Sequence, residues 1–209
     1  FYWQPALFEP GETTMQIHFS DAKNKFKAGW RSIRISDYIY LDSTCTPVRY
    51  NGYDFIRINQ FFALKEFRIK HLGFNIDATW QKVNAPMKNF EGQALHLPEW
   101  VIRSSVFYTG FWFKKATEVQ LGLDLTYLSE YYPDAYMPAL GMFYWQDKVK
   151  NESYPLIDFF FSMKIKRARL FFKSEHLNAG LMNTTYYLAP SYPAPDRSFK
   201  LGIYWNFYD

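Results

Sequence analysis

From Thr13 onward, apolar and polar residues alternate with a period of two in one segment after another. In an extended chain successive side chains point to opposite faces, so each such segment predicts a β-strand with one apolar and one polar face. Thr13, Met15, Ile17 and Phe19 alternate with Thr14, Gln16, His18 and Ser20 in a first strand, and residues 1–11, with two prolines, read as loop. Asp21 to Asn24 predicts a short turn. A longer second strand follows from Lys25 to about Leu41. Its apolar phase moves from Phe26, Ala28 and Trp30 to Ile33, Ile35, Ile39 and Leu41, which predicts a bulge. Asp42 to Gly52, with Pro47 and Asn51-Gly52, reads as a longer loop.

A third strand is expected from Tyr53 to Leu64, closed by a tight turn at Lys65-Glu66. The fourth is clear: Leu72, Phe74, Ile76, Ala78 and Trp80 share one face, and His71, Gly73, Asn75, Asp77, Thr79 and Gln81 the other. After a long polar loop from Asn84 to Pro98, Trp100 to Phe113 predicts a fifth strand, with Phe107, Phe111 and Phe113 on one face and a turn at Lys114 to Ala116. The sixth sets Val119, Leu121, Leu123, Leu125 and Tyr127 against Gln120, Gly122, Asp124 and Thr126. Met137 to Gln146 reads either as a further strand or as part of one long excursion. Ile157, Phe159, Phe161, Met163 and Ile165 share a face, and the phase then switches to Ala168, Leu170 and Phe172. A two-residue turn at Lys166-Arg167 accounts for the switch, since residues flanking such a turn point the same way; one long strand with a bulge is the alternative. The last strand runs from Phe199 to Phe207, with Phe199, Leu201, Ile203, Trp205 and Phe207 opposite Lys200, Gly202, Tyr204 and Asn206.

Strands of this length can cross a bilayer when tilted, and Asp77 and Asp124 on the polar faces would be costly in an apolar core but cheap beside water. The pattern therefore predicts an all-β, antiparallel transmembrane β-barrel in a bacterial outer membrane, in preference to a soluble β-sandwich. Nine spanning strands result if Met137 to Gln146 stays outside, and ten if it spans. Bacterial single-chain barrels have even strand counts, so nine predicts the C-terminal part of a larger barrel, with residues 1–209 forming one barrel segment. Asn75, Asp77, Thr79, Gln81, Gln120, Asp124 and Thr126 are the candidate lumen-lining residues.

Composition sharpens this picture. Aromatic residues make up 22% of the 209, with 17 Tyr and 7 Trp, and barrels place girdles of such rings at both membrane interfaces. No run of eighteen apolar residues exists, which excludes a transmembrane helix. Cys45 is alone, so no intrachain disulfide forms. The four histidines, His18, His71, His96 and His176, fall in different segments without metal-ligand spacing. No nucleophile elbow or phosphate loop is present, and Ser104-Ser105 lacks that context. The residues thus predict no catalytic site, no metal and no cofactor, and Glu175 with His176 reads as a solvated pair at the rim. Lys164, Lys166, Arg167 and Arg169 read as a basic periplasmic turn, not a nucleic-acid face, with Lys164 and Arg169 toward the lumen.

The stretches Tyr154-Pro155-Leu156-Ile157-Asp158, Lys164-Ile165-Lys166-Arg167-Ala168-Arg169 and Glu175-His176-Leu177-Asn178 resemble the putative porins of Bacteroidetes. So do Tyr136-Met137-Pro138-Ala139-Leu140 with Phe143-Tyr144-Trp145-Gln146, and the ending from Tyr192. The ending is also similar, more distantly, to TonB-dependent receptors. The resemblance implies an outer-membrane barrel longer than this chain, surrounded by outer-membrane lipid, whose terminal strand is read by the barrel assembly machinery. Two functions are expected as rivals: a porin-like barrel for passage or uptake of small polar solutes, or a plugged barrel serving as a scaffold among other outer-membrane complex subunits.

Overall fold

The computed structural model describes residues 11–50, 55–86, 93–114, 116–181 and 186–207. Within them, nine long strands form one antiparallel sheet in which each strand pairs with the next long strand along the chain. They are β1 (Gly11–Asp21), β2 (Phe26–Ser36), β5 (Phe55–Ile69), β6 (Leu72–Asn84), β7 (Trp100–Trp112), β8 (Thr117–Leu128), β11 (Tyr154–Ile165), β12 (Ala168–Glu175) and β15 (Ser198–Trp205). The six short strands pair two by two outside that sheet: β3 (Ile39–Leu41) with β4 (Pro47–Arg49), β9 (Ala135–Met137) with β10 (Met142–Tyr144), and β13 (Tyr187–Ala189) with β14 (Tyr192–Pro193). Met137 to Gln146 thus belongs to an excursion. The loop expected over residues 1–10 and the Asn51-Gly52 turn lie outside the described residues.

Register runs without a shift through all eight pairings of the large sheet. One parity therefore holds from β1 to β15. Ile17, Trp30, Phe61, Trp80 and Trp100 lie in one cross-strand row, and Leu123, Phe159, Ser174 and Phe199 in another, all on the same face. That face is apolar and uncovered: Leu201 is 77% exposed, Ile69 74% and Ile17 66%. Rings meet across strands on it, as in Phe159–Phe172 at 6.2 Å and Phe172–Phe199 at 6.1 Å.

The opposite face is concave. Ser20, Asp21 and Lys25 at the β1–β2 end line the same hollow of about 680 Å³ as Lys173 on β12. In a flat sheet β1 and β12 would stand about 34 Å apart, at ~4.8 Å per strand, so the sheet curls. Glycines on this face accept rings from their neighbours: Phe107 lies over Gly73, and Phe171 over Gly202, positions where any Cβ would collide with the ring.

Two expectations are corrected. The chain turns at Lys70-His71, not at Lys65-Glu66. Lys65 and Glu66 continue the strand because Glu66 faces inward to pair with Lys25 at 2.6 Å, and Lys65 reaches the carbonyl of Asn24 at 2.5 Å. The apolar shift within β2 is not a bulge, since its register with both neighbours is unbroken. Instead the inner face itself becomes apolar: Ile33 and Ile35 oppose Ile58 and Ile56, and with Val83 they pack against Tyr38, Tyr40, Tyr50, Ala85, Ala94, Leu95 and Leu97. β2 stops at Ser36, and Ile39 and Leu41 belong to the separate β3–β4 hairpin.

This cluster is the core of a cap folded inward over one end of β2, β5 and β6. Its loops clasp one another: Trp145 donates its backbone N–H to Leu41 at 2.8 Å and its indole N–H to Gln93 at 2.9 Å, and Tyr50 donates to Pro86 at 3.0 Å. Asn151, 1% exposed, exchanges hydrogen bonds with Tyr187 at 2.9 and 3.2 Å. Ile56 is fully buried. Ile56→Ala is expected to cost about 2 to 5 kcal/mol and to speed amide exchange in residues 38–50 and 93–97, while β7 and β8 keep wild-type protection. Exchange mass spectrometry on the folded protein checks both halves.

Candidate functional site

The inner face carries a belt of charge across six strands. Asp77 on β6 stands opposite Arg103 on β7. The Ser105 hydroxyl of β7 donates to Asp124 on β8, and Asp124 in turn lies opposite Asp158 on β11. Lys173 on β12 holds Asp158 at 2.9 Å and Glu175 at 3.2 Å, and Lys200 on β15 holds Glu175 at 2.8 Å. Ser198 adds a hydroxyl to Glu175 at 3.2 Å. These groups are partly exposed, and exposed pairs of this kind are worth ~0–1 kcal/mol each. The belt's consequence is the placement of charge, more than stability.

The belt places like charges side by side, Asp124 with Asp158 and Lys173 with Lys200. Like charges directly opposite are unfavourable unless something lies between them. Lys173 neutralises Asp158, and Glu175 bridges the two lysines. A polar row continues along the same inner face toward β1: Arg31 donates to Gln16 at 2.9 Å, Gln60 donates to Gln81 at 2.7 Å, and Gln81 donates to the Pro98 carbonyl at 2.7 Å.

Every residue singled out for the polar faces of β6 and β8 falls on the inner side. Asn75, Asp77, Asp124 and Thr126 line the hollow. Thr79 borders a smaller recess with Lys27, Arg31 and Gln60. Gln120 lies opposite Ser162, nearer the short turns. Gln81 differs from the others in being 6% exposed, held under the cap by Gln60 and Pro98. Arg103, Ser105, Asp158 and Lys173 join the site without having been singled out. Their parity matches that of Asp77 and Asp124, but only the cross-strand register brings them together.

Glu175 and His176 are each engaged by other partners. They diverge into separate networks, because His176 leaves the strand with φ +53°. Its backbone N–H donates to Asp158 at 2.9 Å, its Nδ1 donates to the Pro195 carbonyl at 2.8 Å, and its Nε2 meets the Tyr154 hydroxyl at 2.9 Å. The terminal residues Phe199, Leu201, Ile203 and Trp205 sit on the outer face of β15, and Phe207, just beyond it, stacks on Trp205 at 6.0 Å. Among the described residues, β1 and β15 each have one unpaired edge.

In the cap, His96 lies between the rings of Tyr132 and Trp145, at 5.6 and 5.5 Å. Burial holds its pKa below the ordinary imidazole range, partly offset by Asp147.

The sequence matches, over residues 1–209, the model of a family described as "Putative porin". No curated protein matches it. Among solved structures, the chain is similar to the apoprotein form of the FrpB iron transporter from Neisseria meningitidis, with a TM-score of 0.56 and 13% identity. The match covers 92% of this chain and 30% of that one, so the fold shared is that of part of a barrel.

If Glu175 bridges Lys173 and Lys200, Glu175→Gln lowers the melting temperature by leaving two lysines opposed. Adding Lys200→Gln then raises it again. Equal melting of the single and double variants, followed by circular dichroism, would show that the bridge carries no such role.

Proposed function

The chain belongs to the family described as "Putative porin", and from that premise we propose that it forms part of an outer-membrane β-barrel through which small polar solutes pass, without enzymatic chemistry. The observation that carries this reading is the division of one unbroken sheet into an uncovered apolar face and a concave charged face. An apolar surface of that extent is unfavourable in water and favourable against hydrocarbon. Trp100 and Trp112, at the two ends of β7, share the outer face and are 45% and 40% exposed. Twelve residue steps separate them, about 40 Å along the strand, or ~30 Å at a tilt near 40°. That height matches the hydrocarbon layer, with one indole at each boundary.

Short turns at Lys70-His71 and Lys166-Arg167 fall at one end and the interlocked loops at the other, which supports a periplasmic and an outer end respectively. In this reading Asn75, Asp77, Thr79, Gln120, Asp124 and Thr126 line the lumen with Arg103 and Lys173, Gln81 supports the cap instead of meeting the lumen, and outward residues of β8 and β15 touch lipid. The free edges of β1 and β15 are paired by further strands of a larger barrel, because a barrel in lipid leaves no edge open. The segment from Phe199 to Phe207 is the part that the assembly machinery recognises.

A second reading draws on the inward cap. An apolar core on the inner face of β2, β5 and β6 narrows the mouth, as it would in a plugged barrel that scaffolds other outer-membrane subunits. Single-channel recording of the full-length protein in a planar bilayer separates the two. Stable conducting steps are expected; a folded, inserted but silent barrel would favour the scaffold.

The facing assignment has its own test. Leu123→Arg is expected to cost about 2 to 4 kcal/mol near the bilayer midplane, and Thr126→Arg much less. Similar losses at both positions, in unfolding from lipid bilayers, would contradict it.

A further inference from the structure

Three inner-face positions in the last four strands of the large sheet set like charges directly opposite one another: Asp124 with Asp158, Lys173 with Lys200, and Lys164 with Arg169. The first two are relieved within the protein, by Ser105 and Lys173 and by Glu175. The third is not. Glu118 stands across from Lys164 on β8, yet among the described residues neither Lys164 nor Arg169 has an ion-pair partner. Tyr204 extends the row, opposite Arg169 on β15, and Lys166 stands in the adjoining turn with φ +50°. Together they line a groove of about 560 Å³ that no carboxylate enters.

Two cations held side by side cost stability, and an oxyanion between them removes that cost. A guanidinium fork donates to two phosphate oxygens at once, and an ammonium adds a point charge. We propose that Lys164, Arg169, Lys166 and the Tyr204 hydroxyl form a binding site for a phosphate-bearing anion at the short-turn end of the inner face. The site deepens the reading of that face as a solute path, on which it rests, and makes anionic solutes the class that dwells at the exit. The same chemistry would take a phospholipid headgroup.

The test is thermal unfolding of the full-length protein in dodecyl maltoside, with inorganic phosphate compared to sodium chloride at equal ionic strength. The wild type is expected to gain in melting temperature with phosphate and not with chloride. Arg169→Gln is expected to melt above the wild type in phosphate-free buffer, since repulsion is relieved, and to need at least tenfold more phosphate for any shift. Lys164→Gln should behave alike, so failure of one variant to fold does not decide the matter. A gain with dioleoylphosphatidylglycerol added as mixed micelles with the dodecyl maltoside, but not with free phosphate, keeps the site and makes a lipid headgroup its ligand. No gain with either, or a wild-type response in both variants, overturns it. Single-channel recording keeps the two claims apart. A silent barrel that still responds to phosphate would sink the solute path alone; conducting steps without any phosphate response would sink the site alone.

Discussion

A side-chain period of two, carried through eight antiparallel pairings without a slip, fixes the face of every residue in the nine long strands from β1 to β15. A one-residue slip in the register of any strand would turn that strand's whole apolar set inward. The remaining features depend on this constraint. It aligns the outward rings into cross-strand rows, collects Asp77, Arg103, Asp124, Asp158, Lys173 and Glu175 into a belt, and stacks Phe107 over Gly73. The irregular chain is confined to the connections, where small hairpins and loops make a second, separate structure.

That second structure gives the inner face three zones along the strands. At the loop end it is apolar, with Ile33, Ile35, Ile56 and Ile58 packed under the cap. In the middle it is charged and nearly self-compensated through Lys173 and Glu175. At the short-turn end it is basic, with Lys164 and Arg169 side by side. In the proposed barrel a solute would pass a gate of tyrosines and leucines, then a balanced belt, then an electropositive exit.

Much of the fold was legible where alternation was clean. β6, β8 and β15 carry apolar residues at every second position, and the face switch between Ile165 and Ala168 located the turn at Lys166-Arg167 although no glycine marks it. A lysine takes the left-handed conformation there, as Lys70 does in the β5–β6 turn. That same economy hid the β5–β6 turn: Lys65-Glu66 looked like a polar break because inward positions of such a strand are polar anyway. In β2, Ile33 and Ile35 follow strict alternation, but the inner face there is an apolar core, and a sequence cannot say which face a loop will cover. The charged belt was legible only as Asp77 and Asp124. Arg103 and Lys173 required the register, which is a property of pairs of strands and not of any one of them.

In the proposed barrel, β8 has hydrocarbon on one side and water on the other. Cysteines placed singly from 119 to 126 in a Cys45→Ser background, spin-labelled and reconstituted in lipid, report this through their collision rates with oxygen and with a water-soluble nickel chelate. A period of two is expected, with 121, 123 and 125 favouring oxygen and 120, 122, 124 and 126 favouring nickel. A flat profile, or nickel access at 123 equal to that at 124, would contradict it.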